Sequence, residues 1–206
     1  LIKHSDVNVV TETHFLPTLY DLYKHSPITF EEYFSVIDEH YSSKGEKWLA
    51  VILAAEGLSY GEFKKDFAQF CADLEPMSVV EHTEQLYRYL YGQGDYWVGN
   101  KTQHYGTIIN VIKNLWPQAK FIHIIRDGVY TAQSMTNHLG FIKMINAGIP
   151  VTHLDRCSYR GHILEFSSDP ITIEEAAFFW QEIISKIRED LENIPSDDYI
   201  EIKYED

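Results

Sequence analysis

The stretch "TIINVIKNLWPQAKFIHIIRDGVYTAQSM", residues 107–135, sets out a complete helix–strand–helix alternation. Its first part is helical in pattern, Pro117 interrupts it, and "KFIHII" (120–125) then reads as a buried strand. A second helix opens near Asp127. The strand ends in Arg126, with the hydroxyl of Ser134 two helical turns further on, and an anion would account for both. An arginine fork matches two phosphate oxygens and keeps its charge at any working pH. Ser134 would add a hydroxyl to the same anion, and the helix N-terminus would add positive potential and free N–H groups. The competing reading pairs Arg126 with Asp127 and leaves Ser134 as an ordinary helix residue.

Outward from this stretch, three more segments read as short strands: "VNVVTE" (7–12), "YWVG" (96–99) and "YIEIKY" (199–204). Helical patterns fall between them, so the simplest sheet is parallel with helices on both faces. Four helix starts carry a capping box: Thr29/Glu32, Ser59/Glu62, Ser78/Glu81 and Thr172/Glu175. After Thr172, the set Ala176, Phe179, Trp180, Ile183, Ile184, Ile187 and Leu191 follows helical spacing. Phe63, Phe67, Phe70, Cys71 and Leu74 do the same after Ser59. No repeat or Gly/Ser linker interrupts residues 1–206, which read as a single α/β domain with a mostly parallel central sheet in three αβα layers. In such folds ligands bind beyond the carboxyl ends of the strands, and Arg126 stands at one.

The formal charge is −14, from 31 acidic and 17 basic residues, which argues against nucleic acid or an acidic membrane surface as a general partner. An anionic ligand must be held locally against that field. Two cysteines, Cys71 and Cys157, are too few and too far apart for a disulfide framework or a zinc site. The longest apolar runs, such as "WLAVILAA" (48–55), are too short to span a bilayer.

Two further constellations lie at strand ends. In "WVGNKTQHY" (97–105) a strand ends in Lys101, a cation able to meet negative charge developing on a leaving oxygen. In "VTETHFLP" (10–17), Glu12 and His14 close the first strand, and either is a candidate general base. The bland readings are a solvated loop lysine, a solvated acid, and a histidine packed under Phe15. No H-x-x-x-H or similar spacing suggests a metal ligand set.

Together, "VTETHFLP", "WVGNKTQHYGTIINVIKNLWPQAKFIHIIRD" and the Arg126–Ser134 spacing resemble the sulfotransferase family, and more closely its Golgi-type and bacterial branch. The resemblance implies a P-loop-NTPase-like fold and 3′-phosphoadenosine 5′-phosphosulfate (PAPS) as co-substrate, with PAP as product and no metal. It implies that Arg126 and Ser134 hold the donor's 3′-phosphate. "GNKTQ" is similar to the family's "G-[DN]-K-[TS]-P" segment, which implies that Lys101 lies near the sulfuryl group. Trp180 and the closing "YIEIKYED" also resemble family elements.

The sequence departs from the family pattern in three places. A "P-[RK]-S-G-[TS]-[TS]" phosphosulfate loop is absent, and "LIKHSDVNV" looks like the end of the helix that would follow it, so the chain is expected to be truncated at its N-terminus. Gln103 replaces a Pro, and Gly128 replaces the Pro of "R-D-P". Gln103 also occupies the place of the cytosolic branch's catalytic histidine, with His104 one step on. The Golgi-type arrangement, in which a Glu takes the acceptor proton, is therefore the better template. Glu12 is the preferred base, with His14 and His104 as the alternatives.

The expected function is transfer of a sulfuryl group from PAPS to a hydroxyl or amine of a small-molecule, sugar, lipid or peptide acceptor. The alternatives are an inactive PAP-binding module of the same fold and, ranked last, a P-loop kinase-type phosphotransferase. Residues 25–95, helical and rich in Tyr and Phe, are expected to cap the acceptor side, aided by 144–166 with Arg156 and Arg160. "NKT" (100–102) is the one N-x-[ST] triplet, and its Asn100 falls in the expected site. A bacterial cytoplasmic location is therefore favoured, with the Golgi lumen as the alternative if an anchor lies upstream.

Overall fold

Four short strands pair in two parallel ladders. The computed structural model describes residues 6–11, 13–44, 47–55, 57–74, 76–92, 94, 97–151 and 166–204. The chain divides into two compact units, Leu1–Gln103 and His104–Asp206.

In the first unit β1 (Val7–Thr11) runs parallel to β2 (Trp97–Lys101), with Val7 opposite Trp97 and Thr11 opposite Lys101. Parallel neighbours need a long crossover. Here five helices supply it: α1 (Leu16–Tyr23), α2 (Phe30–Lys44), α3 (Lys47–Ala55), α4 (Tyr60–Cys71) and α5 (Val79–Tyr91). Most described residues of the segment 25–95 lie in helices.

The capping boxes explain where these helices start. Ser59 and Ser78 each accept from the backbone N–H three residues on, and Glu62 and Glu81 accept in return from the cap residue's N–H. Thr29 and Glu32 exchange the same pair of bonds at 2.8 and 3.3 Å. Ile28 and Met77, each just before a cap, bond to one another's backbones at 2.8 and 3.2 Å, so α2 and α5 start side by side. Behind them Phe30, Phe34, Phe63 and Phe67 are buried, with Phe30 stacked on Phe34 at 4.9 Å. Each such ring contributes roughly 1.5–3 kcal/mol by leaving water. The apolar series after Ser59 outruns its helix: α4 stops at Cys71, and Leu74, beyond the end, is exposed.

The second unit begins with α6 (Ile109–Leu115) and continues through β3 (Phe121–Ile125), α7 (Gly128–Met135), α8 (Leu139–Asn146), α9 (Ile173–Leu191) and β4 (Tyr199–Lys203). Strands β3 and β4 are parallel, Phe121 opposite Tyr199 and Ile125 opposite Lys203. Helix α9, capped by Thr172 and Glu175, is about 28 Å long and organises the unit. Ile187 and Leu191 pack on Ile109 and Phe121, Ala176 packs with Ala132 and Met135, and Phe179 packs with Met144 and Val151. Lys113 donates to Asp198 at 2.7 Å, and Lys120 also bonds that carboxylate, which ties the entry of β3 to the turn before β4. The two ammonium groups hold the Asp198 carboxyl below its ordinary range.

Strand β3 departs from the expectation of a strand buried on both sides. Phe121, His123 and Ile125 are partly covered, whereas Ile122 and Ile124, on the other face, are 68% and 62% exposed. Their β4 partners Ile200 and Ile202 are exposed as well. On the covered side, Arg188 of α9 donates to Glu201 at 2.8 and 3.2 Å. His123 Nδ1 lies 3.0 Å from Glu201 Oε2, off the line of a hydrogen bond. Burial lowers the His123 pKa, against the pull of Glu201.

The pattern is that of an α/β fold with parallel strand pairs, of the P-loop-like kind. Among the described residues, no helix is long and apolar enough to cross a membrane.

Candidate functional site

Each unit carries a cation at the carboxyl end of its strand pair, and the second carries Lys203 there as well, at the end of β4. In the first unit this is Lys101, the last residue of β2, with an exposed side chain. The register sets it opposite Thr11. Glu12, the next residue in the chain, lies outside the described residues. His14 is partly buried, next to the fully buried Phe15. His104 belongs to a 3-10 turn, Gln103–Thr107, and its side chain lies outside the description.

The residues on either side of Lys101 are held by a closed ring of hydrogen bonds. The Thr13 N–H donates to Thr102 Oγ1 at 3.1 Å. That hydroxyl donates to Asn100 Oδ1 at 2.7 Å. Asn100 Nδ2 donates in turn to Thr13 Oγ1, and to the Tyr87 hydroxyl at 3.3 Å. Thr13 and Thr102 are buried, whereas Asn100 is exposed, so the ring is shielded on one side only. Burial pushes the Tyr87 hydroxyl up to about 12, against the hydrogen bonds from Asn100 and Thr13, so it is a neutral partner at ordinary pH.

In the second unit Arg126 follows β3 directly and is exposed. The Tyr204 N–H donates to the Ile125 carbonyl at 2.8 Å, which brings the Tyr204 ring to the same strand end. The Arg126 guanidinium carbon sits 5.4 Å from the centre of that ring, within cation–π range. No carboxylate among the described residues pairs with Arg126. The competing partner, Asp127, caps α7 instead: its Oδ1 accepts from Val129 N–H at 2.9 Å and Tyr130 N–H at 3.1 Å. One expectation is corrected by this geometry. The Val129 and Tyr130 N–H groups of α7 are not free for an anion, because the Asp127 carboxylate occupies them.

Ser134 lies near the end of α7, about 9 Å along the axis from Gly128. It is exposed, on the face of Tyr130 and away from the buried Ala132 and Met135. Its hydroxyl makes no hydrogen bond to a described residue. The helix start itself is seated by a contact: a Cβ on Gly128 would lie 2.6 Å from the Trp180 ring. With the indole where it stands, a side chain at 128 has no room.

Sequence reasoning named Lys101, Arg126 and Ser134 but missed their supports. Tyr204 was read only as the end of a strand, since its proximity to Arg126 depends on β3 and β4 being neighbours. Asn100 and Thr102 were in view as part of "GNKTQ", but their link to Thr13 depends on the β1–β2 register. Arg156, Arg160 and Cys157 lie outside the described residues. Among the described residues, no group of three or more His, Cys, Asp or Glu side chains is arranged to hold a metal ion.

Comparison with known proteins adds one result. The family model described as the sulfotransferase family matches residues 1–206, and no curated protein matches the chain. With the match spanning its whole length, the chain belongs to the sulfotransferase family.

Proposed function

We propose that the chain is a PAPS-dependent sulfotransferase acting on a hydroxyl or amine of an acceptor. The observation that carries the reading is the state of Arg126, an exposed guanidinium at the carboxyl end of a parallel strand pair, with no carboxylate partner among the described residues. Such a fork suits a dianionic phosphate, and the unengaged Ser134 hydroxyl suits a further oxygen of the same group. Family membership supports sulfuryl transfer as the chemistry.

PAPS supplies the sulfuryl group and a phosphate as its leaving group. Arg126 and Ser134 bind the 3′-phosphate and orient the donor. Lys101 neutralises charge gathering on the leaving 5′-phosphate oxygen, and Glu12 takes the acceptor's proton. Positioning and charge neutralisation then carry most of the rate, as in phosphoryl transfer. The acceptor sits on a small molecule, sugar, lipid or peptide, with the helical segment 25–95 contributing to its choice.

Calorimetric titration of PAP and 5′-AMP into the full chain tests the reading. The expected result is a clear preference for PAP that disappears in Arg126→Ala. Equal or absent binding of the two nucleotides would remove the donor assignment and leave a relationship of fold. PAP binding without turnover on any acceptor would favour a nucleotide-binding module.

A further inference from the structure

Lys101 is exposed, yet the residues on both sides of it are fixed. Asn100 offers both ends of its amide to the ring: Oδ1 accepts from Thr102, and Nδ2 donates to Thr13 and Tyr87. Thr102 Oγ1 is the node, because it donates to Asn100 while accepting from the buried Thr13 N–H. A serine at 102 would keep that hydroxyl, whereas a valine of nearly the same shape would leave the Thr13 N–H without its acceptor. The backbone of Lys101 is thus clamped at both neighbours, and the clamp reaches across to Thr13, after β1, and to Tyr87 of α5.

We propose that Asn100 and Thr102 are positioning residues for Lys101, acting through the ring they close with Thr13 to hold the lysine ready for the donor's 5′-phosphate. The inference rests on the proposed role of Lys101. Ring and lysine belong to one functional unit, so their effects on the ligand are coupled. A lysine on a mobile loop would order itself on binding and lose affinity and rate in doing so. A lysine on a fixed strand end has less freedom to lose.

The test is a double-mutant cycle read by calorimetry, with PAP and adenosine 3′-monophosphate as the probes. Their affinity ratio isolates the 5′-phosphate. Lys101→Ala is expected to lower that ratio about tenfold, the scale of one charge-assisted hydrogen bond. Thr102→Val should reproduce a large part of that loss on its own and add almost nothing when combined with Lys101→Ala. Thr102→Ser should stay within about twofold of the parent. Should Thr102→Val fail to fold, Asn100→Ala runs the same cycle with the Thr13–Thr102 bond left in place.

An equal loss from Thr102→Val with and without Lys101 would overturn the positioning role, as would a Thr102→Ser variant as weak as Thr102→Val. A parent chain that prefers PAP to 5′-AMP but not to adenosine 3′-monophosphate would overturn the role of Lys101 and leave the Arg126 site standing. A parent chain with no affinity for PAP would overturn the donor reading itself.

Discussion

Lys101 and Arg126, both at strand ends, are presented in different ways. Lys101 is flanked by a hydrogen-bonded ring in which each polar group has a named partner. Arg126 is steadied by the face of one exposed aromatic ring. A hydrogen-bonded ring anchored on two buried threonines fixes the backbone and with it the direction of the side chain. A cation–π contact is softer and leaves all five guanidinium N–H groups available. The difference suits the two tasks: charge that develops in a transition state needs fixed geometry, whereas a bound phosphate can be met by a fork that adjusts.

The largest expected effects separate the two ends. Glu12→Gln should lower turnover by about 10²–10⁴-fold with donor affinity nearly kept. Lys101→Ala should lower turnover by about 10²–10³-fold, a larger factor than its effect on PAP binding. Release of PAP from PAPS across a panel of acceptors measures both, and full activity in Glu12→Gln would move the base to His14 or His104. Arg126→Ala should act in the opposite sense, weakening PAP by about 10–100-fold while leaving 5′-AMP untouched. If instead Arg126→Ala spared affinity and removed turnover, the division of labour between the two ends would be reversed.

A middle-sized effect concerns the seat of the helix after Arg126. Gly128→Ala forces a methyl group into the Trp180 ring and should destabilise the chain by about 1–3 kcal/mol. Thermal melts measure this, and an unchanged melting temperature would mean that the indole moves aside freely. Tyr204→Ala should weaken PAP only about two- to fivefold, with Tyr204→Phe close to the parent, because the contact is exposed. A tenfold loss would show that the ring does more than steady the guanidinium.

The smallest effects are spread along the fold. Backbone and side-chain hydrogen bonds from Thr29, Ser78 and Thr172 hold the carboxyls of Glu32, Glu81 and Glu175 below their ordinary value of 4.5, and the Ser59 bonds do the same for Glu62. A depressed carboxylate contributes stability above the unfolded value and loses it as pH falls through the folded one. His123, lowered from 6.5 by burial, works in the same direction: protonating it on acidification opposes folding. Melting temperature should therefore fall below about pH 6 and fall further below about pH 4.5. A flat acid limb in Glu81→Gln relative to the parent would identify that cap as a main contributor.

How much of this was legible in the sequence follows from how local each signal is. Capping boxes involve residues three apart, and all four form as read. Strand positions came through because "KFIHII" and "YIEIKY" are dense in β-branched and aromatic residues. Register is not local. No pattern within "GNKTQ" indicates that Asn100 meets Thr13, and none within "YIEIKYED" sets Tyr204 against Arg126. The sequence did contain the capping role of Asp127, two residues before the N–H groups it occupies, yet the positive helix end was read as open to an anion. A side chain that competes for its own helix terminus is the simpler outcome whenever Asp stands at that place.

Gly128 is the first residue of α7, where proline is favoured for its fixed φ and missing N–H. Here the indole of Trp180 fills the volume that a proline ring would need. The two positions are therefore coupled through this contact. In a library randomised at 128 alone, glycine should be recovered almost exclusively. In one randomised at both positions, larger residues at 128 should return beside a smaller residue at 180, or beside a tryptophan that has turned away.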